Sequence, residues 1–251
     1  MSDLHCPFHS RECLDLAVAV GKDIDKSQGL NQIILNGDIA DCYGLSQHGP
    51  KSPLVIDSFY DEIHETRKVL REIRSAFPKT EIIYICGNHE HRLARFIDKV
   101  PEMAGILTVA ELLCLDDLKI KYVDYGPGQS FQVLDTNLIA RHEGLSNGVN
   151  CARASLIKSG CSVIFGHTHR MQSAHCNSMN GEIKCGYSIG HMANPEGNKE
   201  IFSYIKGFYD WQQGFAVVTS IDKQFYVDPI LITNNNGKYR CLYNGYLYES
   251  R

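Results

Sequence analysis

Short apolar runs of strand length in this chain stop at clusters of Gly, Asp, Asn and His. Residues 32–36 run into Gly37-Asp38-Ile39-Ala40-Asp41, residues 81–86 into Gly87-Asn88-His89-Glu90, residues 137–140 into Arg141-His142, and residues 162–165 into Gly166-His167-Thr168-His169. Asp3 and His5 open the chain. Strand-like runs alternating with helical periodicity predict an α/β layer fold. In an open α/β sheet, side chains just past the carboxyl ends of neighbouring strands converge on one crevice. The clusters are therefore expected to share a site.

Two more strands are expected at 215–219 and 226–232, and helices at 12–25, 57–77, 91–100 and 151–159. In the longest helix, Phe59, Ile63, Leu70 and Ile73 lie near one stripe, while Glu62, Glu65, Arg67, Lys68, Arg71 and Glu72 are expected on a solvated face. Between Met171 and Gln213 the periodicity dissolves, which predicts an irregular insertion in a single domain over residues 1–251. Asn234-Asn235-Asn236-Gly237 reads as a hairpin turn in a β-rich C-terminal region.

Composition removes several function classes. With 43% hydrophobic and 22% charged residues the chain is neither disordered nor fibrous. Its 25 Lys and Arg against 29 Asp and Glu leave a net charge of −4, which gives no footprint for non-specific nucleic-acid or anionic-membrane binding. Asp3, Arg11, Glu12 and Asp15 break any secretory pattern near Met1, and no apolar run approaches the roughly 20 residues of a membrane helix. Ten cysteines without a Cys-x-x-Cys pair predict free thiols in a reducing cytoplasm, with Cys86 and Cys161 as small buried hydrophobes.

Asp-x-His, Gly-Asp-x-x-Asp, Gly-Asn-His-Glu, His and Gly-His-x-His, in this order over residues 2–170, resemble the motif series of the calcineurin-like metallophosphoesterases. The runs around Asp3, around His89 and at Trp211-Gln212-Gln213-Gly214-Phe215 are similar to the stand-alone enzymes often encoded by phages. The resemblance implies a four-layer α/β/β/α sandwich of two mixed sheets flanked by helices. It implies one ion held by Asp3, His5, Asp38 and His169, and a second by Asp38, Asn88, His142 and His167, with Asp38 as the bridge. Two divalent ions roughly 3.5–4 Å apart can clamp a phosphate and acidify a water between them. Carboxylate, amide and imidazole donors suit Mn best here, with Fe, Zn, Co or Ni as alternatives, and the lack of Cys ligands argues against a purely structural zinc.

By the same resemblance His89 is a general acid for the leaving oxygen, and Asp41 the carboxylate that orients it. Glu90 is expected to cap the following helix or to brace a neighbouring group. Protein phosphatases of this superfamily follow the second motif with an Arg, but here Cys42 follows Asp41, so Arg92, Arg141 or Arg170 is expected to supply the phosphate contact. Relatives also place a strand ahead of Asp-x-His, whereas Met1 and Ser2 alone precede Asp3; that strand is expected either upstream of the numbered start or shortened, with Asp3 held by its neighbours. Gln47, His48 and Lys51 are expected in a loop over the pocket mouth. His191, with Tyr204, Phe208, Tyr209 and Trp211, forms either a wall for a nucleobase or ordinary packing.

The expected activity is a binuclear metal-dependent phosphomonoesterase on small substrates such as nucleoside or deoxynucleoside 5'-monophosphates, without membrane or stable nucleic-acid partners. The alternatives are a phosphodiesterase or nuclease cleaving DNA or cyclic nucleotides, and a non-catalytic scaffold.

Overall fold

In β1 (Gln32–Asn36) and β2 (Glu81–Ile85), successive apolar side chains point to opposite faces, so a layer must cover each. The computed structural model describes residues 1–46, 59–103, 105–126, 128–202 and 210–250. The other elements in chain order are α1 (Arg11–Gln28), α2 (Phe59–Ala76), α3 (His91–Ile97), α4 (Val109–Leu112), β3 (Ile120–Val123), β4 (Phe131–Gln132), β5 (Leu138–Arg141), α5 (Cys151–Ser159), β6 (Ser162–Phe165), β7 (Met171–Asn177), β8 (Ile183–Ile189), β9 (Gly214–Ile221), β10 (Gln224–Leu231), β11 (Thr233–Asn235), β12 (Lys238–Tyr243) and β13 (Tyr246–Glu249).

Ile33, Leu35, Ile82 and Tyr84 face the apolar sides of α1 and α2, where Leu14, Val20, Ile63, Leu70 and Ile73 are buried. Ile83 and Ile85 face the opposite way, onto Leu138, Ala140, Ile164, Tyr187 and Ile189 of a second sheet. Each fully buried Leu or Ile of this kind contributes roughly 1.5–3 kcal/mol. On the far side of the second sheet, Val163 and Phe165 pack with Cys151 of α5. Gly186 lets α5 approach, since a Cβ there would overlap the Ala152 carbonyl and Leu156. The order is helix, sheet, sheet, helix, the architecture expected.

The first sheet runs β1-β2-β3 and is parallel throughout; the second runs β4-β5-β6-β8-β7, parallel from β5 to β8 and antiparallel at its two edges. Parallel neighbours need a crossover, which α2 supplies between β1 and β2 and α5 between β5 and β6. The carboxyl ends of β1 and β2 in one sheet, and of β5 and β6 in the other, thereby come together. The first residues lie beside the end of β1: Met1 donates to the Ile34 carbonyl, Asn36 to that of Met1, and Asp3 to that of Gly37.

Two expectations are corrected. The segment read as irregular contains β7 and β8, and β8 sits inside the second sheet with residues 185–189 buried. Glycine, serine and cysteine hide this strand from a periodicity search, because Gly186 and Ser188 face α5 and Thr168 instead of bulky neighbours. Glu62 is not on a solvated face. It is fully buried, and its carboxylate accepts the backbone N–H groups of Tyr43 and Gly44 at 2.7 and 3.2 Å. Residues 47–58, with Gln47, His48 and Lys51, and residues 203–209, with Tyr204, Phe208 and Tyr209, lie outside the described residues.

The ten cysteines are free; Cys86 is buried and Cys161 half-buried. Among the described residues no helix is long and apolar enough to cross a membrane. A cavity of about 340 Å³ lies between β1, α1 and β9, and none of the expected metal ligands lines it.

Candidate metal centre

Tight turns at the strand ends put the polar clusters in place. Asp3, His5, Asp38, His167 and His169 all have positive φ, between 49° and 64°, a region that costs a residue with a Cβ and is tolerated where the surroundings fix it. Three glycines leave the room. A Cβ on Gly37 would overlap the His142 ring, one on Gly87 would overlap Asp38, and one on Gly166 would overlap Ser2 and Asp3. At each turn the missing side chain of one strand end is the space taken by a functional side chain from another part of the chain.

Two groups of donors result. In the first, His169 Nε2 lies 3.2 Å from Asp3 Oδ1 and 3.1 Å from His5 Nε2. In the second, His142 Nε2 lies 3.2 Å from Asp38 Oδ2 and 3.1 Å from Asn88 Oδ1, which is itself 2.8 Å from His167 Nδ1. Asp38 stands between them: Oδ1 accepts the His89 N–H at 2.9 Å, while Oδ2 faces His142 and is 4.0 Å from His5 Nε2. All seven side chains expected as ligands are therefore brought together.

The donor set fits cations. His5 Nδ1 is 2.8 Å from the Asp41 carboxylate and His142 Nδ1 is 2.8 Å from the Asn36 carbonyl. Each acceptor draws the ring proton to Nδ1, which leaves the Nε2 lone pair facing the cluster, the usual way a protein orients an imidazole ligand. Lone pairs of imidazole, amide and carboxylate then converge at about 3 Å with too few protons between them, an arrangement that a bound cation satisfies. Within the described residues, Asp3-His5-His169 and Asp38-His142-His167 each present their donor atoms within 4.8 Å of one another.

The electrostatics agree. Burial alone would raise the Asp3 carboxyl, but the hydrogen bond and charge of His169 outweigh it and hold it at about 2. Burial likewise opposes ionisation of Asp38, and His142 and His89 outweigh it, so this carboxylate lies well below its ordinary range. For His142 burial favours the neutral ring, yet the Asp38 charge and hydrogen bond raise it to about 10. Positive charge is favoured beside Asp38 Oδ2.

His89 stands next to this pair. Its ring is 4.5 Å from that of His5, its Nδ1 lies 2.9 Å from the Asp41 carbonyl and 3.2 Å from Asp41 Oδ2, and its Nε2 is 3.8 Å from Asp38 Oδ2. Burial lowers its pKa, while Asp38 and Asp41 raise it by more. Arg92 donates to the Asp41 carbonyl at 2.9 Å and approaches His89 Nε2 at 3.0 Å, so its guanidinium is already engaged at the site. Arg141 closes β5 just before His142, and its Nε is buried without a hydrogen-bond partner among the described residues. Arg170 bonds to the Asn147 carbonyl at 3.2 Å and lies 3.5 Å from Asp210.

His191 is buried behind His169, with ring centres 5.0 Å apart, and its Nδ1 accepts the Ala193 N–H at 3.2 Å. Burial, then the nearby His169, hold it well below its ordinary pKa, so it is a neutral ring. Trp211 packs edge-on to His169 at 4.0 Å. Glu90 is fully buried and makes no side-chain capping bond to α3; its bonds go to the turns after β1 and β2 and to the Tyr84 hydroxyl. Sequence reasoning did not find Asn147, whose amide lies 3.2 Å from His167 Nε2. Nothing in its exposed, polar surroundings marks it, because the contact depends on how the loop after His142 folds back.

Comparison with known proteins places this geometry. A family model described as calcineurin-like phosphoesterase matches residues 1–171. The chain is also similar to the Gene 54 protein of Mycobacterium phage L5, with 26% identity over 256 residues that span 95% of this chain and 94% of the phage protein.

Proposed function

The chain belongs to the calcineurin-like phosphoesterase family, whose members are metal-dependent hydrolases, and on that premise we propose that it is a binuclear phosphomonoesterase acting on small phosphorylated substrates, nucleoside and deoxynucleoside 5'-monophosphates foremost. The observation that carries this reading is the convergence of the Asp3-His5-His169 and Asp38-His142-His167 groups on either side of Asp38, with His89 alongside. Two divalent ions held there, Mn first and Fe, Zn, Co or Ni as alternatives, would neutralise phosphoryl charge and acidify an attacking water.

The chain's own residues do the rest. Asp41 takes the His89 Nδ1–H through both its carbonyl and its carboxylate, which leaves Nε2 to deliver a proton to the departing oxygen. Arg92, now on His89 Nε2, is proposed to swing to the substrate phosphate and so free that nitrogen. Arg141 is the second cation proposed for the phosphate. His191, behind His169, and Trp211, edge-on beside it, form the wall proposed for the organic part of the substrate. A net charge of −4 favours a small substrate over a polynucleotide. Ten free thiols fit a reducing setting, which we take to be the host cytoplasm for a phage-type enzyme.

The test is reconstitution of metal-stripped protein with Mn, followed by phosphate release from a panel of nucleoside and deoxynucleoside 5'-monophosphates beside hydrolysis of bis(4-nitrophenyl) phosphate, with His89→Ala as control. Monoester turnover confined to a few nucleotides, and lost in the variant, is expected. Dominant diester turnover would move the protein to the phosphodiesterase side, and no turnover in a protein that binds no metal would leave a scaffold.

A further inference from the structure

Glu90 is a carboxylate with no exposure to solvent; among the described residues no cation pairs with it, and it accepts five hydrogen bonds. Oε2 takes the backbone N–H of Asp38 at 3.1 Å and of Gly87 at 2.9 Å. Oε1 takes the N–H of Ile39 at 2.7 Å, the N–H of Ala40 at 3.0 Å and the hydroxyl of Tyr84 at 2.6 Å. Four of the five donors are backbone amides of the turns that leave β1 and β2, and the fifth comes from a tyrosine buried in the core beneath them. One side chain thus ties together the turn that carries Asp38 and the turn that carries Asn88 and His89.

Both turns need such a tie. Asp38 has φ +49°, so its backbone gains nothing from local preference and must be held from outside. Gly87 approaches so closely that a Cβ on it would overlap Asp38 and Glu90 Oε2. A buried N–H without an acceptor costs about 1–3 kcal/mol, so three consecutive amides at 38–40 would each press the turn to rearrange if the carboxylate were removed.

The two donor groups would not suffer equally. The first keeps a carboxylate of its own in Asp3, which is fixed independently by the His167 N–H at 3.0 Å and by the Ser2 hydroxyl. In the second, Asn88, His142 and His167 bring no negative charge, and Asp38 is the only anionic member of that donor set. We propose that Glu90 is a positioning residue for the bridging carboxylate Asp38, and that it is the group on which binding of the second ion, at Asn88, His142 and His167, depends. The proposal rests on the binuclear reading above.

Glu90→Gln tests it at nearly constant volume. Whichever way the amide is placed, an NH2 replaces one of the two oxygens and meets two or three donors head-on. After reconstitution with Mn and gel filtration, elemental analysis should give two ions per wild-type chain and one per variant chain. Titration should show the second ion weakened by about 10- to 100-fold, the range for loss of a ligand's supporting partner, with the first little changed. The Mn resonance spectrum should change from that of a coupled pair to that of an isolated ion, a change that a general loss of stability would not produce. Two ions bound with unchanged affinity in the variant, or both ions lost together from a variant that still unfolds cooperatively, would overturn the proposal. A wild-type chain that binds no pair would instead overturn the binuclear reading.

If Glu90→Gln does not fold, Tyr84→Phe removes one of the five donors without touching the turns. It should weaken the second ion selectively and by a smaller factor; equal weakening of both ions, or of neither, would count against the proposal.

Discussion

Asp41 holds His89 twice through one ring nitrogen: Nδ1 lies 2.9 Å from the Asp41 carbonyl and 3.2 Å from its Oδ2. The same Oδ2 is 2.8 Å from Nδ1 of His5. One carboxylate oxygen therefore sets the tautomer of both the proposed proton donor and a proposed metal ligand.

Asp41→Asn should separate these two duties. At saturating Mn, kcat should fall by about 10²- to 10⁴-fold, the range for a misoriented or missing general acid, because a neutral amide removes the Asp41 charge that helps keep His89 protonated. The Mn affinity of the site containing His5 should drop as well, by about 10-fold or more. Steady-state kinetics across a metal titration check both parts, and a variant that recovers full turnover at high Mn would show that Asp41 acts on His5 alone.

His89→Asn and Asp38→Ala should differ in kind. The first should keep two ions and lose about 10²- to 10⁴-fold in kcat. The second should lose the ion at Asn88, His142 and His167 and weaken the other, since Asp38 Oδ2 faces both groups. Metal content measured beside turnover decides; the same metal loss in both variants would sink the division of roles.

Gly37→Ala should destabilise the fold as well as the site. Gly37 has φ +82°, and a Cβ on it would overlap the His142 ring. Overpacking costs about 1–3 kcal/mol and an L-residue in this conformation roughly 1–2 more. Urea unfolding of metal-free protein should show a lowered midpoint with an unchanged slope.

Glu62 should make stability fall as pH rises. Burial, and then the charge of Asp41, raise its carboxyl to about 8 against an ordinary 4.5, although the N–H groups of Gly44 and Tyr43 oppose the shift. Between these values the folded chain holds a proton that the unfolded chain releases, so this contribution is complete below about 4.5 and is lost as pH rises through about 8. Glu62→Gln should flatten that part of the profile. Thermal unfolding of both proteins from pH 4.5 to pH 9 measures it, and parallel curves would show that Glu62 is ionised throughout.

Much of the fold could be read from the chain because the signals were local. The runs at 32–36 and 162–165 became β1 and β6 at the expected bounds, and residues 151–159 became α5. The Asn236-Gly237 turn has positive φ at both residues, as its sequence suggested. The Asn244-Gly245 pair carries the same signal at the β12–β13 turn, again with positive φ at both residues. Strand β8 stayed hidden because its small residues are explained only by the helix and the threonine that pack on them.

The sequence by itself determined which residue types stand at the strand ends, and with them the family and the candidate ligands, because turn chemistry and donor type are properties of short segments. The tertiary structure alone decided the rest. It turned Glu62 inward, gave Glu90 five donors from two turns and a core tyrosine, and made Asp41 serve both His5 and His89. These contacts join residues 18 to 52 positions apart, except the bonds of Glu90 to Gly87 and Tyr84, which are 3 and 6 positions away. No local pattern encodes them: buried donors and acceptors must find partners wherever the packed sheets bring them, and only the assembled layers fix where that is.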